Sequence, residues 1–312
     1  MDFSRKKLND IRRELDAVVP AHYAEPLPPQ PSILPPPQPY DPLIVRAARK
    51  VDNAVQRYHI KQAVGYIRPN NIKRRRAQHP SQIIKQFSFK APRNVKVSIV
   101  IPVYNKVYLT LQCLRSIHDR VPTSCRYEVI VVDNASADMT PLLSKMVGLK
   151  YLRSEVNLGF VDGCNFGAKS ANGEFLVFLN NDALVTENWL ESLVSTMESY
   201  PDAGIVGSKI IYPDGRLQEA GGIIFKDGTG NNYGKNDHPD RYQYNYVREV
   251  DYCSGASIII RRSIFDELEG FDALYRPAYY EDTDLAFRVR ELGLKVIYQP
   301  ESVIYHFNAH LL

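Results

Sequence analysis

Three apolar segments of the chain end abruptly on polar side chains, and this feature restricts the possible folds more than any other. The segments cover residues 97–102, 128–132 and 175–179. Helical patterns follow them, beginning near Tyr108, Met139 and Glu187. Strands that alternate with helices form parallel sheets, and the carboxyl ends of such strands meet at one edge, where ligands bind. We therefore predict an α/β fold with a mixed, mostly parallel central sheet flanked by helices.

An acidic cluster stands at the start of a later helix. Glu281, Asp282 and Asp284 fall where an apolar pattern of helical spacing begins. The apolar positions of that pattern are Leu285, Val289 and Leu292. Unpaired N–H groups and the helix macrodipole stabilise a carboxylate at such a position by about 0.3–1 kcal/mol. From the residue types alone, these carboxylates either cap the helix or include one that accepts a proton in a reaction.

Five short motifs occur along the chain in a fixed order. They are Val-Ser-Ile-Val-Ile-Pro-Val-Tyr-Asn from residue 97, Val-Val-Asp-Asn-Ala-Ser from 131, Asn-Leu-Gly-Phe from 157 with Asn165 and Gly167 behind it, Asn-Asn-Asp from 180, and Glu-Asp-Thr-Asp-Leu-Ala-Phe-Arg from 281. Together they resemble family 2 of the inverting glycosyltransferases over roughly residues 95–306. The resemblance implies the GT-A fold of nucleotide-diphospho-sugar transferases. The group that the chain resembles most builds bacterial O-antigen, capsule or other surface polysaccharide and is rhamnosyltransferase-like.

The resemblance implies a divalent cation, Mn²⁺ or Mg²⁺, held by Asp182. The family places an Asp-x-Asp motif here, but Asn180 stands at its first position, so only the last carboxylate is retained. His306 ends a strand-like segment and is the second ligand implied by the family pattern. A lone histidine is otherwise a structural or surface residue, and the residue types leave both interpretations of His306 open. The cation would neutralise the charge that develops on the departing diphosphate.

The resemblance also implies that Asp282 is the general base that deprotonates the acceptor hydroxyl, which then attacks the anomeric carbon with inversion. Glu281 is the competing candidate, since residue types cannot separate adjacent carboxylates. Asp284 is expected to hold Arg288, four residues further on.

The remaining implied site residues bind the nucleotide and the sugar diphosphate. Those of the nucleotide pocket are Pro102, Tyr104, Asn105 and Asp133. Those facing the sugar diphosphate are Asn157, Gly159, Asp162, Asn165 and Asn181. Asp133 resembles the residue that hydrogen-bonds the pyrimidine ring, whereas its structural alternative is an Asx turn that opens the next helix.

Residues 212–252 are rich in Gly, Asn, Asp and Tyr, and residues 226–246 in particular predict a long loop. Its tyrosines either stack on sugar rings or pack the loop itself. The apolar segment at 253–260 follows and is expected to form a strand under the acceptor site. The tyrosines of the predicted 226–246 loop are Tyr233, Tyr242, Tyr244 and Tyr246.

We divide the chain into an N-terminal extension, residues 1–94, and a GT-A catalytic domain, residues 95–312. The extension contains two predicted helices, 5–18 and 42–66, around a proline-rich stretch at 24–42 that should be polyproline II. Family members continue beyond His306 with a segment that closes over the donor. The resemblance therefore implies a catalytic domain that is truncated at its C-terminus, as one module of a longer protein.

Composition predicts a cytoplasmic enzyme. The N-terminus lacks the apolar core of a signal peptide, and no run of the sequence is long enough to span a bilayer. The four cysteines are widely separated with no Cys-x-x-Cys, which disfavours zinc and a disulfide framework. The basic run at 73–76 is either a solvated linker or a peripheral contact with anionic lipid at the inner face of the membrane. A net charge of +4 without a reader motif does not indicate nucleic acid.

The expected partners are a nucleotide diphosphate sugar, with UDP or dTDP, and a glycan or lipid-linked glycan acceptor. Two function classes other than a glycosyltransferase remain as alternatives. A dinucleotide-binding oxidoreductase is disfavoured because no Gly-x-Gly-x-x-Gly follows the first strand. A noncatalytic scaffold of a polysaccharide assembly complex is disfavoured because Asp182, Asp282 and His306 are all present.

Overall fold

The structure is a computed structural model that describes residues 78–90 and 92–307. The predicted helices at 5–18 and 42–66, the proline-rich stretch and the basic run at 73–76 lie outside the described residues. Over the described ranges, none of the helices combines the length and the apolar character needed to cross a bilayer.

Twelve strands occur in the described part of the chain. Their bounds are β1 Val97–Val103, β2 Tyr127–Asn134, β3 Leu149–Ser154, β4 Phe175–Leu179, β5 Ala183–Val185, β6 Ala203–Ile211, β7 Leu217–Glu219, β8 Gly222–Ile224, β9 Gly230–Asn232, β10 Arg248–Glu249, β11 Ser257–Arg261 and β12 Lys295–His306. The main path of the central sheet has the order β10-β12-β6-β11-β4-β1-β2-β3, with β5 added to β12 and β7 to β6. Strands β8 and β9 form a separate hairpin.

Helices flank the sheet. The α-helices in the described residues are α1 Pro80–Ile83, α2 Val107–Arg120, α3 Gly159–Ala168, α4 Trp189–Ser199, α5 Arg262–Glu267 and α6 Glu281–Glu291. Short 3₁₀ helices cover Ile84–Gln86, Thr123–Cys125, Thr140–Lys145, Tyr242–Tyr244 and Ala273–Tyr275.

The strands that carry the predicted site run in one direction. Strand β1 is parallel to both β2 and β4, and β12 is parallel to β6. Strand β11 is antiparallel to β4 and to β6, so β4 and β6 share a direction. The C-terminal ends of β1, β2, β4 and β12 therefore face the same edge of the sheet, which confirms the predicted mixed, mostly parallel architecture.

Apolar layers cover both faces of the sheet. Strand β1 is buried along its whole length, with Ile99 and Ile101 in one cluster that also holds apolar residues of α2 and α4. Val100 belongs to a second cluster, on the opposite face, with residues of α3 and α6. Because both faces of β1 are covered, its sequence is apolar except at Ser98 rather than alternating.

Three local predictions differ from the structure. The segment after Met139 forms the 3₁₀ helix Thr140–Lys145 rather than an α-helix, in keeping with a proline at its start and only six residues of length. The predicted loop at 226–246 contains strand β9, which pairs with β8 across a tight turn. The helical pattern predicted through Leu292 ends one residue earlier, and Leu292 is exposed while Leu285 and Val289 are buried.

The described end of the predicted N-terminal extension packs on the sheet. Ile84, Phe87 and Phe89 are buried in the same apolar cluster as β1. The N–H of Phe89 donates to the carbonyl of Val147 at 3.0 Å, and the ring of Phe87 lies 5.3 Å from that of His118. The hydrophobic core of the domain therefore reaches back at least to Ile84.

Candidate functional site

Asp182 and His306 meet at the C-terminal edge of the sheet. Asp182 follows β4, and His306 is the last residue of β12, where it pairs with Ala183 of β5. Nε2 of His306 lies 3.1 Å from Oδ1 of Asp182, and each side chain is only 7% exposed. The N–H of Phe307 donates to the Asp182 carbonyl at 3.1 Å, which holds the two chain segments together.

The ring of His306 is oriented by a neighbour that sequence reasoning missed. The side-chain amide of Gln218, on β7, lies 3.2 Å from Nδ1 of His306, so Nε2 is the nitrogen that faces Asp182. A partner on the far nitrogen is the arrangement that fixes metal-binding histidines. The side-chain amide of Asn180 is also 3.0 Å from Nε2.

This donor set fits a divalent cation that is completed by its substrate. A carboxylate oxygen suits Mn²⁺ or Mg²⁺, and the imidazole nitrogen of His306 favours Mn²⁺, because Mg²⁺ takes oxygen ligands. Across residues 78–90 and 92–307, no group of three or more His, Cys, Asp or Glu side chains could hold a metal. A cation held by Asp182 and His306 would therefore take its other ligands from a diphosphate and water.

Asp133 lies at the end of β2, beside the end of β1, because the register pairs it with Val103. It is completely buried. Oδ1 accepts the N–H of Ser136 at 2.8 Å, and Oδ2 accepts hydrogen bonds from the side chains of Tyr151 and Arg153. The Asp133 side chain thus bonds the backbone three residues on, rather than two as in the Asx turn predicted as the structural alternative. A carboxylate has about four lone-pair sites, so these three bonds leave one site unused, which a ligand reaches only if a neighbouring side chain moves.

Asn105 links the two loops that follow β1 and β2. Its side-chain oxygen accepts the N–H groups of Ala137, at 2.8 Å, and Asp138, at 3.3 Å. Its own N–H donates to the hydroxyl of Ser136 at 2.7 Å. Its φ of 58° is left-handed, a conformation that asparagine tolerates better than most residues. Asn105 therefore holds together the two loops at which the nucleotide pocket is predicted.

Two other residues of the predicted nucleotide pocket stand beside Asn105. Pro102 lies within β1, paired with Val132 of β2. Tyr104 follows the strand and is half exposed, with 50% of its surface accessible. An exposed aromatic ring at the end of β1 is suited to packing against a flat ligand.

The loop from Asn157 into α3 is closed by a backbone contact. Oδ1 of Asn157 accepts the N–H of Gly159 at 3.0 Å. The carbonyl of Pro277 accepts the N–H groups of Phe160, at 2.9 Å, and Val161, at 3.4 Å. Gly159 has a φ of 71°, and a Cβ there would lie 2.8 Å from that carbonyl oxygen, so the position requires glycine.

Asp162, Asn165 and Asn181 each have protein partners. Asp162 binds the guanidinium of Arg276 through both of its oxygens, at 2.5 and 2.9 Å. The side chain of Asn165 pairs with the backbone N–H and carbonyl of Phe271, at 2.9 and 2.8 Å. Nδ2 of Asn181 donates to the hydroxyl of Thr110 at 3.1 Å. The roles of these three residues toward a donor stay predictions.

Asp282 is presented by the first turn of α6. Oδ2 accepts the N–H of Gly255 at 2.8 Å, and Oδ1 accepts the N–H of Thr283 at 2.7 Å and its hydroxyl at 3.3 Å. These bonds stabilise the ionised carboxylate. Burial nevertheless raises the pKa of Asp282, while the donors from Gly255 and Thr283 limit the rise. Taken as a whole residue, Asp282 is of intermediate exposure.

Glu281 has a different environment from Asp282. It is only 6% exposed, and its Oε2 has no hydrogen-bond partner among the described residues. Burial, reinforced by repulsion from Asp282, raises the pKa of Glu281 to about 7. Accessibility and hydrogen bonding therefore favour Asp282 over Glu281 as the ionised carboxylate that an acceptor hydroxyl can reach. The predicted pair of Asp284 and Arg288 is present, with Nε of Arg288 2.7 Å from Oδ2 of Asp284.

A turn at residues 254–256, which precedes β11, connects the two halves of the site. The N–H of Gly255 donates to Asp282, and the carbonyl of Ala256 accepts the N–H of Asn180 at 3.1 Å. The 254–256 turn therefore ties helix α6 to the segment that carries Asp182. The N–H of Ser254 donates to Oε1 of Glu219 at 2.8 Å.

Sequence reasoning missed Glu219, together with Gln218 and Arg153. The available signal was weak: Gln218 and Glu219 are polar residues inside a short segment that is otherwise apolar or glycine, from Leu217 to Ile224. Only the pairing of β7 with β6 brings these two residues to the edge of the sheet that carries His306.

Comparison with known proteins shows the family and the fold of the chain. The family model described as "Glycosyl transferase family 2" matches residues 98–269, more than half of the chain. The O-antigen biosynthesis protein RfbC of Myxococcus xanthus is 29% identical over 243 residues, which are 74% of this chain and 19% of that protein. The N-acetylglucosaminyl-diphospho-decaprenol L-rhamnosyltransferase of Mycobacterium tuberculosis is 25% identical over 206 residues, 58% of this chain and 67% of that enzyme. The chain thus spans about a fifth of the length of RfbC.

Among solved structures, GalNAc-T7 with UDP, GalNAc and Mn²⁺ superposes with a TM-score of 0.59 at 17% identity, covering 91% of this chain and 56% of that one. This likeness shows a shared fold. The family model covers Asn105, Asp133 and Asp182, whereas Asp282 and His306 lie beyond its last matched residue. The chain belongs to glycosyl transferase family 2, a family of inverting glycosyltransferases.

Proposed function

We propose that this domain transfers a sugar from a UDP-sugar or dTDP-sugar to a hydroxyl of a growing bacterial surface glycan, with inversion at the anomeric carbon. The observation that carries the proposal is the 254–256 turn, which bonds both to Asp282 and to the segment bearing Asp182. The turn holds a proton acceptor and a candidate metal ligand in one site. Such fixed geometry is the main requirement for a displacement between two bound substrates.

Asp282 acts as the general base. Its two oxygens are held by Gly255 and Thr283, and its partial exposure gives an acceptor hydroxyl access to the carboxylate. As the hydroxyl oxygen attacks the anomeric carbon, its proton passes to Asp282, and the bond to the diphosphate breaks on the opposite face of the sugar. A single displacement of this kind inverts the configuration.

Asp182 and His306 are the residues that would hold a divalent cation. When bound, such a cation supplies Lewis-acid neutralisation of the charge on the departing diphosphate. Gln218 keeps Nε2 of His306 directed at Asp182, so the protein presents the two ligands already adjacent. The Mn²⁺ in the GalNAc-T7 structure supports this assignment.

The donor nucleotide occupies the ends of β1 and β2. Asp133 accepts the imide N–H of a pyrimidine at its remaining lone-pair site, and Tyr104 packs against the base. Arg153 and Tyr151 keep the Asp133 carboxylate fixed for this purpose. The UDP bound in the GalNAc-T7 structure supports a nucleotide donor, and the preference for a pyrimidine rests on the proposed role of Asp133.

The acceptor is a glycan that is attached to a lipid or is part of a growing surface polymer. The support comes from two relatives, one named for O-antigen biosynthesis and one for rhamnosyl transfer to N-acetylglucosaminyl-diphospho-decaprenol. Neither name fixes the sugar that this chain transfers.

The test is a panel of UDP-, dTDP- and GDP-sugars, assayed for hydrolysis and for transfer to lipid-linked glycan with and without Mn²⁺. We expect Mn²⁺-dependent turnover with a pyrimidine donor and none with Asp282→Asn. Calorimetry of UDP and dTDP checks donor binding independently of an acceptor. The absence of binding by any nucleoside diphosphate in the presence of Mn²⁺ would overturn the proposal.

A further inference from the structure

Glu219 is a buried acid with an unusual environment. The last residue of β7, it is only 1% exposed. One oxygen, Oε1, accepts the N–H of Ser254 at 2.8 Å. The other, Oε2, has no hydrogen-bond partner among the described residues. Burying a carboxylate with a single donor is costly, so such a group is retained either in a neutral form or for a function.

The donor to Glu219 and the donor to Asp282 are consecutive in the chain. The N–H of Ser254 binds Glu219 and the N–H of Gly255 binds Asp282, both at 2.8 Å. The two N–H groups lie in successive peptide planes that meet at the Cα of Ser254, so a change in the backbone conformation of Ser254 would disturb both bonds. The space around the turn is also tight, since a Cβ on Gly255 would lie 3.3 Å from the ring of Phe160 and 3.6 Å from Cβ of Asp282. Glu219 therefore fixes the direction of the N–H that Asp282 receives.

Of the two neighbouring carboxylates, Glu219 and Asp282, the surroundings favour ionisation of only one. The titratable groups near it are Asp282, Tyr212, Tyr252, Cys253 and Tyr298. The cation of this region, Arg248, donates to the carbonyl of Ala220. Asp282 accepts three hydrogen bonds and Glu219 accepts one, so the negative charge is better accommodated on Asp282. Burial, and to a lesser extent Asp282, raise the pKa of Glu219 to about 8.

We propose that Glu219 is a positioning residue for the base: by binding Ser254 it fixes the 254–256 turn and so directs the N–H of Gly255 onto Asp282. It does this as a neutral carboxylic acid at neutral pH, which avoids a second negative charge beside the base. The inference rests on the proposed role of Asp282.

The pH profile of kcat separates this role from a merely structural one. The acid limb of the profile reports the protonation of Asp282. Glu219→Ala releases the turn and weakens the Gly255 bond to the ionised carboxylate, so we expect the acid limb to move to higher pH and kcat to fall about 10–100-fold. Glu219→Gln keeps an acceptor for Ser254 and stays neutral, so it should restore kcat to within about threefold of wild type without moving the limb.

Two controls keep the outcomes distinguishable. Tyr252→Phe removes the hydroxyl of a neighbouring buried tyrosine, which binds Asn232 rather than the turn, and it should leave the acid limb in place. If Asp282→Asn retained activity, the proposed function itself would fail. If Asp282→Asn were inactive and Glu219→Ala kept the wild-type profile, only the role of Glu219 would be wrong.

If Glu219→Ala fails to fold, the pH profile of kcat for Glu219→Gln can still be compared with that of the wild-type protein. If Glu219 were ionised during turnover, the amide would remove a neighbouring negative charge and shift the acid limb to lower pH. Such a shift, or a Glu219→Gln variant as impaired as Glu219→Ala, would overturn the proposal.

Discussion

Nε2 of His306 lies 3.1 Å from Oδ1 of Asp182, although β4, which precedes Asp182, and β12, which ends at His306, are not neighbours in the sheet. Strand β5 explains the contact, because it follows Asp182 directly and pairs with the end of β12. The chain thus folds back so that its last described strand ends against the Asn-Asn-Asp segment. Two side chains that can bind a metal are brought together by the backbone pairing itself.

Metal removal should abolish transfer. If Asp182 and His306 hold the cation, a chelator eliminates activity and added Mn²⁺ restores it more effectively than Mg²⁺, because histidine is a poor ligand for Mg²⁺. Asp182→Ala should weaken binding of a nucleotide sugar in the presence of Mn²⁺ and barely alter binding of the free nucleoside. Calorimetry with the nucleotide sugar and with the nucleoside measures both effects.

Gln218→Leu provides a milder variant for the same site. It removes the partner of Nδ1 and leaves both ligands in place, so Mn²⁺ affinity should fall about 10–100-fold. Full turnover in excess chelator would exclude the metal role of Asp182 and His306.

Asp282→Asn should abolish transfer and leave donor binding nearly intact. The amide preserves the size of the side chain and removes only the proton acceptor, and general-base catalysis contributes about 10²–10⁴-fold. Glu281→Gln is the matched control on the adjacent residue and should cost less. A larger loss from Glu281→Gln than from Asp282→Asn would exchange the two roles.

The strand ends were predictable because a parallel sheet leaves little freedom. A buried strand must be apolar throughout, so the first polar residue after it marks the edge of the sheet, and Asp133 and Asp182 were found in this way. The helix start at Glu281 was found from the apolar spacing that follows it. These signals are local in sequence.

Glu219 and Gln218 were missed because their roles depend on contacts between distant segments. Glu219 acts through the backbone of Ser254, and Gln218 through the ring of His306. Neither contact leaves a local pattern, since any backbone N–H or ring nitrogen would serve. For the same reason, the sequence did not indicate that Arg276 is the partner of Asp162.

Nucleotide binding should depend on Arg153 as well as on Asp133. Arg153 donates to Oδ2 of Asp133 and, through Nη2, to the carbonyl of Ser136 at 3.0 Å. Arg153→Met leaves the Asp133 carboxylate without its cationic partner, so UDP affinity should fall about tenfold or more, because an unpaired buried charge is costly. Asp133→Asn should lower UDP affinity as well, and an unchanged affinity in both variants would remove Asp133 from the nucleotide pocket. Arg115→Met, on the exposed part of α2, is the control.

The stability of the domain should fall as the pH rises from about 5 to 8. The pKa values of Glu219 and Glu281 are raised to about 8 and about 7, from an ordinary value of 4.5, chiefly by burial. Between the ordinary and the raised values the folded protein holds protons that the unfolded chain has released. The free energy of unfolding therefore decreases with pH in this window, by at most about 1.4 kcal/mol per pH unit for each group.

Glu219→Gln removes the contribution of Glu219 and leaves those of Glu281, Asp282 and Asp284, whose pKa values are also raised by burial, because the amide has no proton to lose. Chemical denaturation at pH 5, 6, 7 and 8 should show a shallower decrease for Glu219→Gln than for the wild-type protein. Glu267→Gln, an exposed position on α5, should keep the wild-type slope, since its side chain is in solvent in both states. Acids whose pKa values are lowered by hydrogen bonds, such as Asp138, act below this window and do not obscure the result. Parallel curves for wild type and Glu219→Gln would mean that Glu219 is already ionised at pH 5, and the neutral carboxylic acid beside Asp282 would have to be abandoned.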